Sequence, residues 1–237
     1  MFSLSPSIDF ESVAHAFRLH GRVEILNFIG AGEVELLRNH LLQRSDWTLV
    51  LNAEDKIYEI PRDEFRKLGE HQRNELEQKV MNAARHGFQY RYESIRVADD
   101  SSARQNNDTV LDRFVEFMSS TQVLDILGRI INRHDVDFAD GQATAYSPGH
   151  FLTCHDDDVA GKGRLAAYVF GLTPHWRPEW GGLLMFHGAD GNISEAFAPA
   201  MGALRLFSVP ALHSVSYVTP MAPEPRLSIT GWLRTHL

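Results

Sequence analysis

From Val136 onward the chain breaks into short apolar segments with turn residues between them. The segments are 136–146, 150–155, 164–172, 182–187, 203–209, 213–219 and 226–234, and the gaps hold Ser147-Pro148-Gly149, Gly161-Lys162-Gly163 and the stretch from Pro220 to Pro225. Glycine and proline supply the backbone angles that tight turns need. Many short strands at this spacing predict a sandwich or barrel, and a double-sheet jelly roll, cupin-like, is the natural closure.

The first half reads differently. Helical spacing of Phe10, Val13, Ala14 and Phe17 predicts a helix over 9–20, and Val34, Leu37, Leu41 and Leu42 predict another to about Arg44. Arg22 to Phe28, Trp47 to Leu51 and Lys56 to Ile60 are strand-like, the last stopped by Pro61. Phe65, Leu68, Leu76, Val80 and Ala84 line one stripe of a long charged segment, so a single helix is expected from Arg62 to about Arg85, before Gly87. Phe88 to Val97 alternates as a strand. Ala98 to Asp108 is polar and lacks an apolar anchor, which predicts a mobile loop able to act as a lid. Helices near Val110–Met118 and Thr121–Asn132 complete this half. The fold class is thus α+β with a mainly β core, residues 1–237 forming one domain: a supporting region, 1–135, and a β core, 136–237.

At 43% hydrophobic residues the chain can build a large core. Cys154 is the only cysteine, which excludes an internal disulfide and fits a reducing compartment. The N-terminus has no basic segment followed by an apolar run, and no apolar stretch approaches the roughly 20 residues needed to span a bilayer. A cytoplasmic protein without a membrane partner is expected. The net charge of −8 disfavours direct nucleic-acid binding and mildly favours a basic partner.

The chemistry is concentrated in Cys154-His155-Asp156-Asp157-Asp158, His213 and Arg226-Leu-Ser228-Ile-Thr230-Gly-Trp232. On a strand, residues two apart share a face. His155 and Asp157 can therefore grip one ion, whereas Asp156 and Asp158 have the opposite parity. Three aspartates after a strand also read as a solvated turn. Two imidazoles and a carboxylate can bind one face of a non-haem Fe(II) ion and leave the other open. By the same parity Arg226, Ser228, Thr230 and Trp232 share one face of the last strand, and Leu227, Ile229 and Leu233 the other. A guanidinium fork with flanking hydroxyls suits a carboxylate. His150, His175 and His187 read as turn, structural or surface residues, Cys154 as a small packed side chain, and Trp176 and Trp180 as core or entrance.

His155-x-Asp157, His213 and Arg226-x-Ser228 together resemble the signature of Fe(II)/2-oxoglutarate-dependent dioxygenases, in particular the prolyl-hydroxylase-like group. Over about 136–234 the likeness extends to Trp176 with Gly181-Gly182, Leu206-Phe207 and His213-Ser-Val-Ser, similar to the catalytic domain of ribosomal-protein prolyl hydroxylases. The eukaryotic members carry a second, noncatalytic barrel, for which this chain is too short. The resemblance implies a double-stranded β-helix with Fe(II) on His155, Asp157 and His213. It implies 2-oxoglutarate held by Arg226, Ser228, Thr230 and Tyr146, O2 as oxidant and ascorbate as an accessory reductant. Hydroxylation of a C–H bond would release succinate and CO2, and the implied partner is a protein substrate, a basic ribosomal or translation protein. One position departs: Gly171 stands where the group usually has a tyrosine that assists the arginine, and Tyr168 has the opposite parity.

Three rivals use the same residues. Nucleic-acid demethylases of the superfamily resemble one another in a second arginine six residues after the first, where this chain has Trp232. A zinc hydrolase also takes two histidines and an aspartate but has no need for the Arg226 face. A noncatalytic ligand-binding barrel would keep the fold without turnover.

Overall fold

The structure is a computed structural model that describes residues 2–53 and 56–236. The first half contributes α1 (Phe10–His20), β1 (Arg22–Ile25), α2 (Ala31–Gln43), β2 (Thr48–Ala53), β3 (Lys56–Pro61), α3 (Arg62–Lys67), α4 (Glu70–Ala84), β4 (Tyr90–Arg96), α5 (Ser101–Asn107), α6 (Val110–Met118) and α7 (Thr121–Ile131). The second half contributes β5 (Phe138–Ala139), β6 (Gln142–Tyr146), β7 (Phe151–His155), β8 (Arg164–Gly171), β9 (Leu184–His187), β10 (Ile193–Phe197), β11 (Leu204–Ser208), β12 (His213–Val215) and β13 (Arg226–Arg234). The strands join in one curled antiparallel sheet, ordered β1-β11-β8-β13-β6-β4-β7-β12-β9-β10. Its two ends approach through side chains: Arg22 on β1 pairs with Glu195 on β10 and donates to Ser194 Oγ at 3.3 Å. This is the double-stranded β-helix, with the helices packed outside.

Period-two alternation assigns the two faces of the sheet. On β8, Ala166, Tyr168 and Phe170 enter the main core, while Ala167 and Val169 face inward. On β13, Leu227, Ile229 and Leu233 join the same main core. Against this outer face pack α1, α2, α6 and α7 through Phe17, Leu37, Leu41, Phe114, Met118 and Leu127, all buried. Local chemistry fixes the helix ends. Asp9 caps α1 by accepting from Ser12 N at 3.1 Å, and Gly21 closes it in the left-handed region at φ 67°.

Four expectations are corrected. The long helix over 62–85 is two helices: Leu68 takes an extended ψ of 139°, and Gly69 restarts the chain as the cap of α4. The apolar stripe continued across the break, so periodicity alone did not reveal it. Residues 98–108 are not a mobile loop. Asp100 caps α5, and Arg104 is buried, donating to Glu116 at 2.8 Å and to the carbonyls of Ala98 and Asp99. One arginine anchors what apolar residues do not. The segment 136–146 divides at Asp140-Gly141 into β5 and β6, and β10 was not foreseen because its side chains are mostly exposed. The supporting half also does more than cover the barrel, since β4 lies between β6 and β7 and pairs with both.

Gly171 is explained by packing. A Cβ there would collide with the carbonyl oxygen of Ala200, and the chain is tied across this point by Gly171 N to Ala203 O and Gly202 N to Gly171 O, both 2.9 Å. The strap at 198–202 fills the space a side chain would take. Gly171→Ala is expected to cost about 1–3 kcal/mol through overpacking, read as a melting temperature lower by several degrees. Gly171→Tyr should fail to fold rather than strengthen the site.

Candidate active site

β7 and β12 pair antiparallel with His155 opposite His213, so the two imidazoles are cross-strand neighbours, ring centroids 4.1 Å apart. Each ring is fixed from behind by a backbone carbonyl. His155 Nδ1 lies 3.0 Å from Thr153 O, and His213 Nδ1 lies 2.7 Å from Ala211 O. A carbonyl only accepts, so each Nδ1 carries the proton and each Nε2 offers a lone pair to the interior. Between them stands Asp157, with Oδ1 3.4 Å from His155 Nε2 and Oδ2 3.5 Å from His213 Nε2. One ligand atom from each of the three lies within 4.8 Å of the others. Burial, and then the neighbouring His155, lower the His213 pKa to about 4, which keeps it neutral, the form that binds metals. Burial alone would raise the Asp157 pKa, but the two imidazoles and the Trp232 indole bring it below the ordinary value and keep the carboxylate ionised. The donor set and its orientation fit an Fe(II) ion with an open face.

The reason Asp157 faces inward differs from the expected one. β7 ends at His155, so strand parity does not extend to Asp157. Asp157 is instead left-handed, φ 64°, a conformation costing roughly 1–2 kcal/mol in a residue with a Cβ. The turn reading is also correct: Asp156 and Asp158 are exposed, and Asp158 N donates to Asp156 Oδ1 at 3.1 Å. Cys154 is exposed rather than packed.

His155, Asp157 and His213 line a cavity of about 250 Å³ with Tyr146, Arg226, Thr230 and Trp232. Arg226 lies deep within it, 2% exposed, and among the described residues no carboxylate pairs with it. Its guanidinium packs over the Tyr146 ring, 5.1 Å from the centroid. Gly182, at φ 63°, closes over the arginine, and a Cβ there would stand 3.2 Å from its Cδ. Burial lowers the Arg226 pKa to about 10, so it remains a cation at neutral pH. A buried cation without a counter-ion is costly, and an incoming carboxylate would offset that cost. Ser228 does not line the cavity. Its hydroxyl meets Thr144 Oγ1 at 2.8 Å and ties β13 to β6 behind the wall. Tyr168 points outward, as its parity implied, and donates to Asp140 O at 2.7 Å.

β4 supplies residues that sequence reading missed. Phe88 lies 5.4 Å from His155, then Tyr90, Tyr92 and Tyr146 follow at 5.5, 5.8 and 5.5 Å between successive ring centroids. One wall of the cavity is thus aromatic from the histidine pair to the arginine. The signal was present, since Tyr90-x-Tyr92 places two aromatics on one face of β4, with Phe88 just before it. Burial keeps the phenols of Tyr92 and Tyr146 protonated, so each has a hydroxyl to donate. Residues 98–108 do not line this cavity.

Residues 141–234 match the model of the 2OG-Fe(II) oxygenase superfamily. A mouse protein, prolyl 3-hydroxylase OGFOD1, is 33% identical over 88 residues, covering 34% of this chain. The match spans only 16% of the mouse protein's length. Among solved structures, a Pseudomonas putida prolyl-4-hydroxylase superposes with a TM-score of 0.60 at 20% identity, covering 96% of this chain and 99% of that one. A prolyl hydroxylase from Trichoplax adhaerens, in complex with a peptide fragment of hypoxia inducible factor, gives 0.59 at 14%, covering 95% and 89%. These two share the fold.

The unpaired Arg226 generates a stability test. Arg226→Met removes a buried cation and should raise stability by about 1–3 kcal/mol. The wild-type protein should gain melting temperature on adding millimolar dicarboxylate, and the variant should gain none. The sign with pH agrees. With its pKa lowered from 12.5 to about 10 in the folded state, Arg226 withholds stability at neutral pH, and that stability returns as pH rises from about 10 towards 12.5. Thermal melts with and without the dicarboxylate check both parts.

Proposed function

We propose that this chain, whose residues 141–234 carry the core of a 2OG-Fe(II) oxygenase resembling prolyl hydroxylases, hydroxylates a C–H bond of a prolyl residue in a protein substrate. The enzyme class is that of the 2-oxoglutarate-dependent dioxygenases, with Fe(II) as cofactor and 2-oxoglutarate and O2 as cosubstrates. One observation carries the reading: a single cavity holds both the face of His155, Asp157 and His213 and a buried arginine without a carboxylate partner among the described residues. A zinc hydrolase would use the first and have no need of the second.

His155, Asp157 and His213 would hold the iron. Arg226 would take the far carboxylate of 2-oxoglutarate, with the Tyr146 phenol beside it and Thr230 on the same wall. Ser228 would act through Thr144, keeping β13 and β6 in register. When bound, the iron and 2-oxoglutarate supply the oxidising chemistry, splitting O2 between succinate and the hydroxylated product as CO2 leaves. The protein binds, orients and shields. Its aromatic wall (Tyr90, Tyr92, Tyr146) and apolar lining (Leu152, Ala167, Val169, Leu184, Phe207) exclude water from the reacting centre. The Trp232 indole beside Asp157 offers a flat apolar face for a pyrrolidine ring.

A protein substrate is supported by two similar proteins, one a prolyl 3-hydroxylase and one a prolyl hydroxylase bound to a peptide. Phe88, half exposed beside His155, gives the mouth an apolar rim suited to a polypeptide. A basic ribosomal or translation protein complements the net charge of −8. A cytoplasmic setting fits the exposed thiol of Cys154, which an oxidising compartment would put at risk. No described helix is long and apolar enough to cross a membrane.

The protein incubated with Fe(II), 2-oxoglutarate and air should form succinate, and His155→Ala should reduce this to the level of the metal-free protein. Mass spectrometry of candidate ribosomal and translation proteins should find one added oxygen on a proline. Equal succinate formation by His155→Ala would show the metal assignment to be wrong; oxygen on another residue type would reject the prolyl reading alone.

A further inference from the structure

The left-handed Asp157 is held by groups from two other strands. Arg164, the first residue of β8, donates from Nη1 to the Asp157 carbonyl oxygen at 3.0 Å. The same nitrogen is 3.6 Å from Asp157 Oδ1, so one guanidinium faces both the backbone and the carboxylate of this residue. Its other side lies flat on Trp232 of β13, with Cζ 3.6 Å from the ring centroid. Trp232 is itself fixed, its backbone N–H donating to Asp140 Oδ1 at 2.7 Å. Its indole Nε1 is buried and has no hydrogen-bond partner, and it lies close enough to Asp157 to favour the ionised carboxylate.

We propose that Arg164, backed by the Trp232 ring, is a positioning residue that locks Asp157 in its left-handed conformation and so presets the carboxylate between His155 and His213. The inference rests on reading Asp157 as a metal ligand. Two features make the stack more than a surface ion pair. Arg164 has a specific acceptor in the Asp157 main chain, and that contact sets φ and ψ rather than merely neutralising charge. Stacking also removes the guanidinium's freedom to swing away, since its side chain is only 17% exposed. The carboxylate then needs no reorganisation when a metal arrives. Without the stack, Asp157 would relax toward the ordinary backbone region and turn its oxygens to solvent, as Asp156 and Asp158 already do.

Metal binding tests this apart from turnover. Co(II), a spectroscopic stand-in for Fe(II), is titrated anaerobically into the wild-type chain and into R164M, R164K and D157A. Affinity comes from calorimetry and ligand geometry from the Co(II) absorption spectrum. R164M keeps an unbranched apolar stem but loses the donor and the fork. It should bind Co(II) about 10–100-fold more weakly, with an altered spectrum and an apo melting temperature close to wild type. R164K should recover part of the affinity, because a lysine can donate but cannot stack flat. Wild-type affinity and spectrum in both R164M and R164K overturn the positioning role. Wild-type affinity in D157A overturns instead the ligand reading beneath it, so the two failures are distinct. Should R164M not fold, W232F decides: it removes the indole N–H and weakens the stack, and a wild-type Co(II) spectrum in it also overturns the proposal.

Discussion

The structure depends on a sheet buried on both faces. Each strand of the curled barrel gives alternate side chains to the helices outside and to the cavity within, so one run of backbone serves the core and the site together. β13 carries this furthest: Leu227, Ile229 and Leu233 anchor the helical layer, while Arg226, Thr230 and Trp232 face the cavity. A one-residue slip would bury the arginine among leucines and send the isoleucine into the site. The apolar outer face therefore fixes the register on which the site relies. The same coupling holds at β7 and β12, where pairing alone puts two histidines ring to ring.

Stability is given up inside the cavity. Arg226 is buried without a carboxylate partner among the described residues, and Asp157 holds a left-handed backbone. Two part-buried ion pairs elsewhere are complete by contrast. Arg62 grips Glu93 with two bonds of 2.6 and 2.8 Å, and Arg205 is matched by Glu24. A fold that can satisfy its buried charges, yet leaves one open beside a two-histidine, one-carboxylate face, is arranged for a ligand that brings its own anion.

The arginine's surroundings show how a missing side chain is accommodated. The strap at 198–202 crosses so near Gly171 that no Cβ fits. Aromatic surface instead comes from the opposite wall, where Tyr146 underlies the guanidinium and Tyr92 stacks behind it. That wall includes β4, from the half of the chain read as a helical and strand support region. The strand order makes β4 part of the barrel, inserted between β6 and β7.

Most strands of the β core, β10 excepted, were legible in the sequence because alternation and turn residues are local, and so were α1, α2, α6 and α7, whose apolar stripes are three to four residues apart. His155, His213 and Arg226 were legible from spacing together with a family resemblance. Asp157 was selected by a strand argument that does not apply, since the strand ends two residues earlier. Its inward turn is made by Arg164, at the start of the next strand, and by Trp232, which is remote in sequence. The ordering of 98–108 by one buried arginine and the aromatic wall from β4 likewise rest on tertiary contacts, whereas the break at Leu68-Gly69 is marked locally, by Gln72 Oε1 accepting from Gly69 N. The sequence by itself determined which side chains share a strand face, because that follows from the two-residue repeat of extended backbone. Only the tertiary structure decided which faces meet across the cavity and what bends Asp157 into it, because pairing order and packing join residues that no local period relates.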